Sequence, residues 1–316
     1  MFWTSWLLAA LAVILAWPVP VLLSRAAWPA RAPFAAMVLW QSIALAGGLS
    51  MIGAMLCYGL VTLGESLASG LHGLLRIFLG QESLDTLGVL HAFALSAAAL
   101  LSAHLVFTLW LTYFRIQRQR RRHRDLLHLL SSPSADRPHT LVINHQAPVA
   151  YCLPGGSRSV TVLSEGLLEL LSPDELRAVL LHEQTHLAQR HHLLLWAFAA
   201  WRSALPWLPT SKLAQQSVSS LIEIMADDVA LRSVDKPTLV TAIALVASGS
   251  AQVPADTLMA DNAALIDTPS TTSARLSRLL TPAPALAASR QILVIAAALL
   301  LLTIPTALLL VPGLLN

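Results

Sequence analysis

Apolar positions along this chain follow two different patterns. Four long runs, at about residues 2–23, 35–63, 88–114 and 291–311, contain no Asp, Glu, Lys or Arg. A helix needs about 20 apolar residues to cross ~30 Å of hydrocarbon, so each run predicts a membrane span. The first run has no basic segment before it and is longer than a signal-peptide core, so it predicts a retained helix. The second holds Gly47, Gly48, Gly53 and Gly59, as close helix packing requires. Between 115 and 290 the apolar residues are shorter-ranged. Thr140–Ile143, Val149–Leu153 and Ser159–Leu163 read as strands, with Pro154-Gly155-Gly156-Ser157 as a turn, and predict a small antiparallel sheet. The turn-rich Ser131-Ser132-Pro133-Ser134 marks a boundary, and 115–130 continue the third helix into water. Ser172-Pro173-Asp174-Glu175 combines a cap, a first-turn proline and a glutamate three residues on, and so starts a helix.

Two further stretches are ambiguous in pattern. Residues 193–208 are apolar but too short to span, and Trp196, Trp201 and Trp207 suit the headgroup region. They predict an interfacial hairpin; a buried helix of a water-soluble domain is the alternative. Residues 248–289 are rich in Ala, Ser, Thr and Pro and read as a flexible linker.

Composition agrees with a bilayer. The 316 residues are 56% hydrophobic and 12% charged, against roughly 25% charged in soluble domains. Disorder and a disulfide scaffold are excluded. The fold class expected is an α-helical integral membrane protein with an inserted α+β domain at 115–290. Charge sets its orientation. Arg115, Arg118, Arg120, Arg121, Arg122 and Arg124 follow the third run directly, which reads as a cytoplasmic anchor rather than a nucleic-acid patch. Alternation then places Arg25, Arg31 and Arg290 inside, both termini outside, and 64–87 as an external loop with Glu65, Glu82 and Asp85. Cys57 lies in an apolar run and Cys152 in a polar one, so neither a disulfide nor a thiolate metal site is expected.

The chemistry begins at His182-Glu183-Gln184-Thr185-His186. Two histidines four apart share a helix face and can bind one Zn²⁺, while the intervening carboxylate can take a proton from a water there. A catalytic zinc takes three protein ligands and keeps a position open. Glu223 is the third candidate ligand, and Asp227, one turn on, is placed to fix a ligating imidazole's tautomer. Arg190-His191-His192 could add ligands or simply form a basic helix end.

His182–His186 followed by Glu223-x-x-Ala-Asp227-x-x-Ala230 resembles the membrane gluzincin peptidases of families M48 and M56, as do Val162–Leu167 and Leu171–Leu176. Three spans before the zinc segment and one after look like M56, the antibiotic-sensing BlaR1/MecR1-type transducers. The resemblance implies a gluzincin-type zinc metallopeptidase domain, with one Zn²⁺ on His182, His186 and Glu223 and Glu183 as general base. It also implies that strand 159–163 lines the cleft and pairs with substrate. Arg275, in Ser273–Leu279, is a candidate for oxyanion or substrate contact; an amphipathic, membrane-facing turn is the alternative. The substrate implied is a winged-helix repressor of the BlaI/MecI type, with self-cleavage in 248–289 by the same analogy. A bacterial inner membrane, a separate sensor protein and a homodimer complete the implied setting; direct nucleic-acid binding is not expected. The sequence stops at Asn316, just past the last span, and Ser233-Val234-Asp235-Lys236 lacks a downstream Lys-Thr-Gly, so β-lactam acylation is not expected. Two other functions stay open: an M48-like quality-control protease of membrane proteins, and a non-catalytic zinc-stabilised receptor.

Overall fold

The structure, a computed structural model, describes residues 1–134, 139–154, 159–250 and 269–314. The chain divides into two compact units. The first comprises Met1–Leu111, Phe198–Ser217 and Leu286–Asn316; the second comprises Thr112–Ala197 and Val218–Ala285.

The first unit holds α1 (Phe2–Ala16), α2 (Pro18–Arg25), α3 (Pro33–Leu60), α4 (Leu67–Phe78), the first half of α5 (Val89–Leu130) and, at the chain's end, α12 (Ala288–Leu314). Among the described residues, four helical stretches are long and apolar enough to cross a bilayer: Phe2–Arg25, Pro33–Leu60, Val89–Leu127 and Ala288–Leu310. They coincide with the four predicted spans. α3 is the central one, packed by α1 and α12, and buries Trp40 and Ile43. Trp3, Phe93, Leu100 and Leu293 stay exposed on the outer helices.

The first span is broken at Trp17, because Pro18 disfavours helical backbone in the residue before it. Pro20 has no N–H to give the Ala16 carbonyl. Thr210 supplies the donor instead: its hydroxyl lies 2.9 Å from Leu15 O and 2.5 Å from Ala16 O. Thr210 belongs to α9 (Pro209–Ala230), which follows α8 (His191–Ala204) after a tight turn. The turn is held by Ser211 Oγ, which donates to the carbonyls of Leu205 and Leu208. Leu205 and Leu208 pack with Met51, Leu101 and Leu105 in this unit. Thr210→Val, which keeps the shape and removes the donor, is expected to lower stability by about 1–3 kcal/mol through the unsatisfied carbonyl. Thermal unfolding in detergent measures it.

The segment 64–87 contains a helix where a loop was expected. α4 is closed by a reciprocal Ser66–Ser69 capping box. Gly70 and Gly73 face inward, where an added Cβ would meet Leu60 and the Leu63 carbonyl. Leu71, Leu75 and Phe78 face outward. Its glycines lower intrinsic helix propensity, so the periodic stripe is the only trace it leaves in the sequence.

The second unit carries a four-stranded sheet of order β1-β2-β4-β3, from β1 (Ser131–Pro133), β2 (Thr140–Ile143), β3 (Ala150–Leu153) and β4 (Val160–Ser164). The sheet is mixed, not antiparallel. β2 and β4 are parallel, with Leu141 opposite Val162, while β3 adds antiparallel to β4. The stretch read as a boundary at 131–134 contributes β1. The turn residues 155–157 lie outside the described residues. Because β4 is paired on both sides, segment 159–163 has no free edge, and the substrate-edge role expected of it is excluded. The terminal strands are β1 and β3, and β3 packs against α7 (Pro173–Ala188).

α6 (Glu165–Leu170) leads from β4 to α7. Gly166 lies so close to the Gln146 carbonyl that a Cβ would overlap it, at 1.9 Å. The helix start at Ser172 forms as predicted, with Ser172 Oγ accepting from the Glu175 N–H and Glu175 Oε2 accepting from the Ser172 N–H. α10 (Lys236–Ser250) packs on α7 and on α11 (Pro269–Leu280). The region read as a linker therefore includes a helix, α11, whose Leu276 and Leu279 pack into the core around Ala178, Leu239 and Ala242. Residues 251–268 lie outside the described residues.

Candidate metal centre

α7 and α9 bring the predicted ligands together. His182 and His186 sit one turn apart on α7, and Glu223 faces them from α9. His182 Nε2 lies 3.1 Å from His186 Nε2 and 3.1 Å from Glu223 Oε2, and His186 Nε2 lies 3.5 Å from Glu223 Oε1. Two ligands at about 2.0–2.1 Å from a tetrahedral zinc are about 3.3–3.4 Å apart, so the two imidazole nitrogens, and each with the carboxylate oxygen nearest it, stand close to the spacing of zinc ligands. Two observations support a cation at their centre. The two Nε2 atoms face one another, which suits lone pairs converging on a positive charge. Glu223 is 2% exposed, and its Oε1 is buried without a hydrogen-bond partner. Such an orphaned carboxylate oxygen is rare unless a ligand satisfies it.

Asp227 takes the position expected of it. Its Oδ1 lies 2.9 Å from His182 Nδ1, which fixes a proton on that nitrogen and leaves Nε2 as the atom available to a metal. In the metal-free protein, burial works against charge on His182. Hydrogen bonds to Asp227 and Glu223 overcome it and raise the imidazole to about 10.

Arg275 comes to the same cluster from α11, not from a membrane-facing turn. It is 6% exposed. Nε and Nη2 grip Asp227 in a two-pronged contact at 2.8 and 2.7 Å, and Nη1 lies 3.3 Å from Glu223 Oε2. One turn on, Arg278 also makes a two-pronged contact, through Nη1 and Nη2, with Asp228 at 2.7 and 3.0 Å, but partly in solvent. Against the burial that opposes its charge, hydrogen bonds from His182 and Arg275 hold the Asp227 carboxyl down at about 2.

Glu183 is half-buried on α7, on the side of β3. There burial, followed by the nearby Glu183 charge, raises the Cys152 thiol to about 11 against the relief of its Thr161 hydrogen bond. His191, read from sequence as a possible basic helix end, is instead buried against His186. The neighbouring imidazoles are kept neutral, His186 at about 3 and His191 at about 4, in both cases chiefly by burial.

These shifts predict the acid behaviour of the metal-free protein. His186 and His191 must gain a proton on unfolding below their usual 6.5, and Asp227 loses its stabilising charge as pH falls from 3.8 toward 2. Both act in one direction, so stability is expected to decline steadily from about pH 6 to pH 2. His182 acts oppositely: its contribution is full below 6.5 and is lost as pH rises toward 10. Thermal midpoints across pH in chelator, highest near neutrality, test this.

The sequence matches the model of peptidase family M48 over residues 116–283, more than half of the chain. The chain belongs to peptidase family M48. No individual protein of known function and no solved structure matches it. M48 peptidases are zinc metallopeptidases, and the His182, His186 and Glu223 cluster suits that metal. The M48 segment begins within α5 and ends just past α11. It therefore includes Arg275 and the whole cluster.

Proposed function

We propose that this M48 peptidase is a membrane-embedded zinc endopeptidase whose site faces the cytoplasm and which cleaves a cytoplasmic protein as a step in signalling. The observation that carries the peptidase part is the buried Glu223 carboxylate, whose Oε1 has no hydrogen-bond partner, closing a ligand set with His182 and His186, beside Glu183. When bound, zinc supplies a Lewis acid that polarises a peptide carbonyl and acidifies water. Glu183 takes the proton of the attacking water and returns it to the leaving amine. Asp227 and Arg275 hold His182 and Glu223 in place; Arg275 acts as a positioning residue rather than as an oxyanion donor, since its donors are directed at carboxylates. Substrate adds as an extended strand to β3, the terminal strand beside α7.

The signalling part is supported by the layout of three spans before the peptidase segment and one after, which resembles M56 transducers, and by the arginines at 115–124 that mark a cytoplasmic side. A winged-helix repressor of the BlaI/MecI type is the substrate proposed, with the signal arriving through a separate partner protein, the segment 64–87 or the bilayer. The inner membrane of a bacterium is the setting. Membership in M48 equally suits a second reading, the removal of damaged membrane proteins. Protein fragments from cells carrying either the wild-type chain or Glu183→Gln separate the two. Loss of a repressor fragment in the variant is the expected result. Loss of membrane-protein fragments alone would replace signalling with quality control.

A further inference from the structure

α7 and α8 are joined by only Gln189 and Arg190. Arg190 has φ +52°, in the left-handed region that side chains other than glycine seldom occupy. A non-glycine residue held there is over-determined by its surroundings, and such residues gather at functional sites. The consequence here is visible. The chain reverses so tightly that the first residue of α8, His191, lies against the last turn of α7 and is 1% exposed. Its Nδ1 lies 3.0 Å from His186 Nδ1, its Nε2 lies 2.9 Å from Gln189 Oε1, and the two rings meet edge-on at 78°.

The hydrogen-bond roles form a consistent chain. Gln189 Oε1 can only accept, so His191 Nε2 carries the proton. A neutral His191 then offers Nδ1 as an acceptor. His186 Nδ1 must therefore donate, and a neutral His186 has its lone pair on Nε2, the atom that faces His182 and Glu223. We propose that His191 is a positioning residue for His186, setting its tautomer and ring orientation so that Nε2 is presented to the metal, with Gln189 fixing the tautomer of His191 in turn. His182 receives the same service from Asp227. The two ligating imidazoles thus have different supports, one charged and one neutral, and His191 adds no third negative charge to a pocket that already buries two carboxylates.

The proposal deepens the zinc-peptidase reading and rests on it. Its test is zinc affinity, by competition with a chromophoric chelator on the full-length protein in detergent. His191→Leu removes the acceptor at similar volume. His191→Asn places an amide oxygen where Nδ1 was. Loss of an outer partner of a ligating histidine commonly weakens metal binding by about 10–100-fold. That loss is expected for His191→Leu, with most of it restored in His191→Asn. Gln189→Leu, at an exposed position that does not threaten folding, is expected to weaken zinc binding in the same direction by a smaller factor. Unchanged affinity in Gln189→Leu and in a folded His191→Leu overturns the proposal, as does an Asn variant no better than the Leu variant, which would make His191 a packing residue only. Failure of the wild-type chain to take up zinc would overturn the peptidase reading itself, a result distinct from either.

Discussion

Glu183→Gln is expected to bind one zinc per chain as tightly as the wild-type protein and to cleave at a rate lower by about 10²–10⁴. Among the described residues, the ligand cluster is His182, His186 and Glu223, without Glu183. The amide keeps the size of the side chain and loses its basicity, so metal content and folding should be unaffected while proton transfer fails. Metal analysis and a cleavage assay on the same preparation read both quantities. Normal cleavage by a zinc-loaded Glu183→Gln would remove Glu183 from the mechanism. Loss of zinc in that variant would instead make Glu183 part of the binding set.

The second large effect is expected at Arg275. Arg275→Met deletes the cation that faces two buried carboxylates, Asp227 and Glu223. Removing one partner of a buried pair costs about 3–5 kcal/mol, because the remaining charge stays buried without compensation. The loss should be greatest in chelator. With zinc present, the metal charge faces Glu223 and, through His182, Asp227, so part of the loss is offset. Arg278→Met is the internal control. Its contact with Asp228 is also two-pronged but is partly solvated, and exposed pairs contribute about 0–1 kcal/mol. Thermal midpoints of both variants, with and without zinc, give the comparison. Equal small losses at the two arginines would refute the claim that Arg275 holds the site together.

What could be read from the sequence was what lies close together in it. The His182–His186 pair, the helix start at Ser172 and the Glu223–Asp227 turn all follow from helical spacing and local capping. The four apolar stretches follow from length alone. The elements that were missed depend on distant partners. The parallel pairing of β2 with β4 skips over β3, and no local pattern distinguishes it from a meander; read as a meander, β4 takes an edge position it does not have. The burial of Arg275 depends on a partner 48 positions away, and its surrounding Ser and Thr residues read as linker. Arg190 gave no sign of a left-handed turn, since the residue that usually marks one is glycine. One signal was available for His191: a third histidine five positions after His186, just beyond a helix end, is well placed to fold back on it.

The division of the chain into units also constrains how the enzyme can be handled. Ligands His182 and His186 precede the segment Phe198–Ser217, and Glu223 follows it, yet that segment belongs to the unit built from the apolar helices. Any contiguous fragment that carries all three ligands also carries this excursion, with Leu205 and Leu208 deprived of the Met51, Leu101 and Leu105 side chains that cover them. Trimming the spans would therefore yield a sticky, aggregation-prone polypeptide rather than a soluble catalytic fragment. Expression strategies should keep the helices and choose the detergent, not shorten the gene.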